Sequence, residues 1–183
     1  MPKIIFLGDS LLKRGTKHLE VPEDIIAWVC TSGARASDAK VMLEKKLYEL
    51  GLNVDKVDII FGLGYNDWSN YKSIIAQLQS IDEHPNVNRV LAIVPPRSHE
   101  NFIRFKKDPG NVFYVKQLEE YKELEKYIKN SNKRYNINDD IFVRFINTRR
   151  IKNFSSDFYH FDKEKVNEII KHIENLYLKG KLF

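Results

Sequence analysis

The chain has 183 residues, enough for one domain with a sizeable core, and its 43% hydrophobic and 30% charged residues are an ordinary globular composition. The formal charge is +5, but the cations are scattered (Lys13/Arg14, Lys45/Lys46, Lys106/Lys107, Lys133/Arg134, Arg149/Arg150, then the last helix), which reads as a solvated surface rather than a nucleic-acid stripe. No apolar run is long enough to span a bilayer, the apolar start is broken too early by Asp9 to serve as a signal peptide, and Cys30 is the lone cysteine, so a single domain spanning 1–183 in a reducing, cytoplasmic compartment is expected.

In chain order, Lys3–Gly8 and Ile25–Thr31 read as strands. Ala36, Ala39, Leu43, Leu47 and Leu50 then share one helix face, with Gly51 in the stop position. Val57–Leu63 is the next strand. It is followed by a helix striped with Tyr71, Ile74, Ile75, Leu78 and Ile81, entered through Ser69 or Asn70 as cap. A strand over Arg89–Val94 leads into the long polar connection 96–112, a candidate lid or substrate-contact loop. Tyr114, Leu118, Tyr121 and Ile128 suggest a third helix, Ile141–Ile146 a fifth strand. A last helix opens at Asp162, buries Val166, Ile169, Ile170, Ile173 and Tyr177, and ends at Gly180. Alternating apolar runs and amphipathic stretches are the pattern of an α/β fold with a mostly parallel five-stranded sheet.

Ligands of open α/β sheets bind at the carboxyl ends of the strands, so the polar residues there matter most. After the first strand comes Gly8-Asp9-Ser10-Leu11, after the second Ser32-Gly33-Ala34, after the third Gly64-Tyr65-Asn66-Asp67, and ahead of the last helix Asp157-Phe158-Tyr159-His160. These groups match the needs of acyl transfer. A serine hydroxyl becomes a nucleophile when an imidazole takes its proton, and a carboxylate can orient that imidazole. Ser10, His160 and Asp157 could fill those roles. The backbone N–H groups of Ser10 and Gly33 and the Asn66 side-chain amide could then meet the oxyanion.

The four blocks, in this order and on these elements, resemble the signature of SGNH (GDSL-type) hydrolases, and they frame nearly the whole chain. The resemblance implies a flavodoxin-like three-layer α/β/α sandwich with metal-free, cofactor-free esterase, lipase, thioesterase or deacetylase chemistry. It makes Ser10, Asp157 and His160 the catalytic triad, Ser10, Gly33 and Asn66 the oxyanion hole, and Asp9 and Asp67 structural neighbours in their turns. The expected substrate is a small-molecule or glycan ester with a short acyl group, such as O-acetyl on carbohydrate, ahead of a lysophospholipid or thioester. A catalytically silent module that binds glycan or a protein partner is the alternative.

Around this rim Arg35, Arg97, Arg149 and Arg150, with Tyr65 and Tyr159, are candidate substrate contacts, and the arginines would favour an anionic substrate. His172 is expected on the solvated face of the last helix, His18 and His84 in polar connections, His99 in the long loop, and Cys30 as a structural thiol. No cluster of residues has metal-site spacing.

Overall fold

Continuous apolar runs are what a parallel strand needs when both of its faces are covered. A computed structural model describes residues 3–10, 26–52, 56–95, 106–134 and 163–180. Four such runs form strands there: β1 (Ile4–Gly8), β2 (Ile26–Cys30), β3 (Val57–Gly62) and β4 (Val87–Ala92). All pairings are parallel and the spatial order is β2-β1-β3-β4. This is the flavodoxin-like order, with its switch point between β1 and β3. Among the described residues the sheet has four strands rather than five. The expected strand Ile141–Ile146 lies outside them.

Among the described residues four helices cover the sheet: α1 (Ala39–Glu49), α2 (Tyr71–Asp82), α3 (Val112–Lys133) and α4 (Lys163–Leu178). Side chains alternate along a strand, which divides the core in two. Ile5, Leu7, Ile59, Phe61, Val90 and Ala92 join Leu43, Leu47, Ile74, Leu78, Leu124 and Ile128 of α1, α2 and α3 in one cluster. The alternate residues Ile4, Phe6, Ile26, Ile60 and Leu91 are equally buried on the other face, and α4 buries Val166, Ile169, Ile170 and Ile173. Helices therefore lie on both sides of a parallel sheet, the α/β/α sandwich expected from the sequence. No helix among the described residues is long and apolar enough to cross a membrane.

Local departures have physical causes. β4 starts at Val87, two residues earlier than the apolar run suggests: Arg89 pairs with Asp58 of β3 and binds its carboxylate, and Asn88, skipped at a register shift in the ladder, binds the same carboxylate. α3 starts at Val112 because Asn111 caps it, its side chain accepting the Phe113 N–H at 3.0 Å. Its buried row is Gln117, Leu124, Ile128 and Asn132, whereas Tyr114, Leu118 and Tyr121 are half-buried. α4 departs similarly: His172 flanks the apolar stripe and is half-buried rather than solvated. Desolvation, then the nearby Lys179 charge, lowers its pKa. The Tyr177 side chain lies outside the described residues.

Asn132 binds the side of β4 that faces away from β3. Ile93 N–H donates to Phe61 C=O at 2.9 Å, so Ala92 turns its own N–H and C=O away from β3. Asn132 takes both: its Oδ1 accepts Ala92 N–H at 3.1 Å and its Nδ2 donates to Ala92 C=O at 2.8 Å. Asn132→Leu keeps the volume and strands two buried backbone groups. It should cost roughly 2–4 kcal/mol and lower Tm by about 5–15 °C in thermal circular dichroism. An unchanged Tm would mean that water reaches this side of β4. About three turns earlier, Tyr121 Oη donates to Pro95 C=O at 2.8 Å, so α3 also binds the chain just past β4.

Candidate active site

Cys30, Gly8 and Gly62 stand in register at the carboxyl ends of β2, β1 and β3 respectively. The Phe6 ring lies across this end of the sheet and stacks on Trp28, with ring centroids 4.4 Å apart. It leaves no room for side chains at the two glycines. A Cβ on Gly8 would lie 2.9 Å from Cys30 Sγ and 3.0 Å from the Phe6 ring, and one on Gly62 would lie 2.9 Å from that ring. The backbone can thus run flat to the rim. Beyond Gly8, Asp9 is buried and Ser10 is half-buried with helical backbone.

Beyond β2, Thr31 N–H donates to Gly8 C=O at 3.1 Å, and Thr31–Ala34 forms a turn closed by Ala34 N–H on Thr31 C=O at 3.2 Å. Gly33 is the third residue of the turn with φ 72°, where a positive φ favours glycine. Beyond β3, Gly64 has φ 125°, and a Cβ there would sit 2.9 Å from Ile74 and 3.1 Å from Pro95. Only glycine satisfies both conditions. It starts the 3₁₀ turn Tyr65–Asp67, in which Asp67 N–H donates to Gly64 C=O at 3.1 Å.

These two loops, from different strands, are bonded to each other. Asn66 Nδ2 donates to Ala34 C=O at 2.9 Å, and Asp67 Oδ2 accepts the Ala36 N–H at 2.9 Å in a buried bond. The Arg35 N–H between them donates to Asp38 Oδ2 at 2.8 Å. Desolvation raises the Asp67 carboxyl pKa above its usual value, while the Ala36 bond and the Arg35 charge pull it back. An amide nitrogen carries two hydrogens, so Asn66 keeps one N–H beyond the bond to Ala34. A serine hydroxyl, a glycine turn and a held amide donor therefore follow three neighbouring strands at one end of the sheet.

The expected site residues fall into two groups. Ser10, Gly33 and Asn66 follow adjacent strands at this rim. Arg35 is exposed beside them, and Tyr65 is buried at 7% exposure. Asp157, His160, Arg97, Arg149, Arg150 and Tyr159 lie outside the described residues, as do 96–105 of the long connection, His18 and His99. His84 does have partners: its Nδ1 accepts Asn86 N–H at 3.2 Å and its Nε2 lies 3.7 Å from Glu44. Cys30 is half-buried at the end of β2. Sequence reasoning treated Asp67 as local to its own turn and missed its reach to Ala36. It also missed Gln117, whose Nε2 donates to Trp68 C=O at 2.6 Å and ties α3 to the end of the Asn66 turn.

No family model matches the chain, and no curated protein matches it. Solved structures do. The chain is similar to a lipase/acylhydrolase from Enterococcus faecalis, with TM-score 0.56 and 18% identity over 98% of this chain and 97% of that one. It is similar to a psychrotrophic esterase from Pseudoalteromonas sp., with TM-score 0.57 and 13% identity over 96% of each chain. It is also similar to an acetylxylan esterase from Geobacillus stearothermophilus, with TM-score 0.53 and 14% identity over 95% of this chain and 93% of that one. The chain therefore has the fold that these proteins share, a parallel sheet between two layers of helices.

Proposed function

We propose that the chain is an SGNH-type serine esterase that hydrolyses a short-acyl carboxylic ester through an acyl-Ser10 intermediate. One observation carries the reading: the Asn66 amide is bonded to the Gly33 turn through Ala34 C=O, so two donors that follow separate strands are held as one unit beside the strand that leads into Ser10. Preorganised donors of this kind are what acyl transfer needs, because they meet the charge without reorganising.

In this mechanism Ser10 Oγ attacks the ester carbonyl while His160 takes its proton, and Asp157 orients the ring and stabilises the imidazolium. The new oxyanion accepts hydrogen bonds from Ser10 N–H, Gly33 N–H and Asn66 Nδ2. The C–O bond to the alcohol then breaks, His160 returns the proton to the leaving oxygen, and acyl-Ser10 remains. Water attacks this ester with His160 again as base, which releases the acid and restores Ser10. Acetyl on carbohydrate is the first substrate class to try. A domain of 183 residues favours a shallow site and a small acyl group, and one neighbour of the same fold is an acetylxylan esterase. Exposed Arg35 beside the Gly33 turn supports a preference for an anionic ester, with Arg97, Arg149 and Arg150 as further candidates.

A fluorophosphonate probe tests the reading directly. The protein should be labelled on Ser10, located by peptide mass mapping, and should cleave nitrophenyl acetate faster than longer acyl esters. It should also release acetate from acetylated sugars. Absence of both labelling and turnover would favour a silent binding module on the same fold.

A further inference from the structure

We propose that Asp67 is a positioning residue of the oxyanion hole, holding the Gly33 turn through Ala36 so that Gly33 N–H and Asn66 Nδ2 converge. The inference rests on the esterase reading, but the clamp can be measured without it.

Packing does not hold Gly33. The residue is exposed, and a Cβ built on it would find no atom within 4 Å. Hydrogen bonds on either side must therefore fix its direction. Upstream, Thr31 N–H on Gly8 C=O ties the turn to β1. Downstream, the C=O of Ala34, at 4% exposure, accepts from Asn66 Nδ2, and beyond it Ala36, at 0% exposure, places its N–H on Asp67 Oδ2, so both anchors come from the Tyr65–Asp67 turn. Asp67 is well placed to act as a fixed post. Its own N–H donates to Gly64 C=O at 3.1 Å, and its C=O accepts Asn70 N–H at 2.8 Å. It is also the neighbour in sequence of Asn66, so one short turn sets both the amide donor and the strut that aims the glycine donor.

A donor held loosely by about 1 Å can lose on the order of 10²-fold in rate, which makes this strut consequential.

The experiment compares wild type, Asp67→Ala and Asp67→Asn in the full chain, with active sites counted by fluorophosphonate labelling. Asp67→Ala should lower kcat by about 10–100-fold with KM changed less than about threefold. Asp67→Asn keeps an acceptor oxygen for Ala36 N–H and should hold kcat within about fivefold of wild type. Amide hydrogen exchange by NMR should speed up at Ala36 in Asp67→Ala and stay near wild type in Asp67→Asn. An Asp67→Ala protein with a lower Tm but wild-type kcat per labelled site would overturn the positioning role. Unchanged exchange at Ala36 would overturn the clamp itself. A wild type that neither turns over esters nor takes the probe would overturn the esterase reading, and the catalytic meaning of the clamp with it.

Discussion

Ser10→Ala should abolish fluorophosphonate labelling and lower kcat on a nitrophenyl ester by at least about 10⁴-fold, with Tm within a few degrees of wild type. The fold should survive because the change removes one oxygen from a half-buried residue just past the end of β1, outside the packed row Ile4–Leu7. The activity should not survive, because every covalent step passes through that oxygen. The double variant Ser10→Ala/His160→Ala extends the test to the proposed base. If Ser10 and His160 act as one unit, the double variant should be no slower than the worse single variant. Multiplying losses would instead show that they contribute separately. Near-wild-type turnover by Ser10→Ala would make that serine a turn residue and remove the basis of the mechanism.

Asn66→Ala should lower kcat by about 10²–10³-fold, or roughly 3–4 kcal/mol of transition-state stabilisation, with KM changed far less. The split follows from where the donor acts: the charge it meets is present chiefly in the tetrahedral state. The same change removes the bond to Ala34 C=O, so a loss of about 1 kcal/mol in stability should accompany it. Asn66→Asp separates the two effects. It preserves size but places an acceptor against Ala34 C=O and the oxyanion, so it should be at least as impaired as Asn66→Ala. A variant that raised only KM would reassign Asn66 to ground-state substrate binding.

The sequence by itself determined three of the four described strands closely, and most of the described helices. Ile4–Gly8, Ile26–Cys30 and Val57–Gly62 stand within about a residue of their apolar runs, because a strand covered on both faces has no polar side to blur the signal. The α2 stripe of Tyr71, Ile74, Leu78 and Ile81 is buried as its period requires. The rim residues Ser10, Gly33 and Asn66 were legible for a different reason. They are polar or small at strand ends, where an apolar run stops and a ligand can approach.

The tertiary structure alone decided which strand lies where and what the buried polar groups bind. Chain order says nothing of β1 standing between β2 and β3, which is what makes the ends of β1 and β3 a switch point. Asn66 and Ala34 are 32 residues apart, Asp67 and Ala36 31 apart, and Asn132 and Ala92 40 apart. Periodicity weighs each side chain's preference for water over a turn or two of chain. By that measure Gln117, Asn132 and the flanking His172 belong outside, yet the fold turns them inward. Gln117 and Asn132 are buried because pairing and crossover bring a complementary backbone group to meet each of them, a partner that no local window contains.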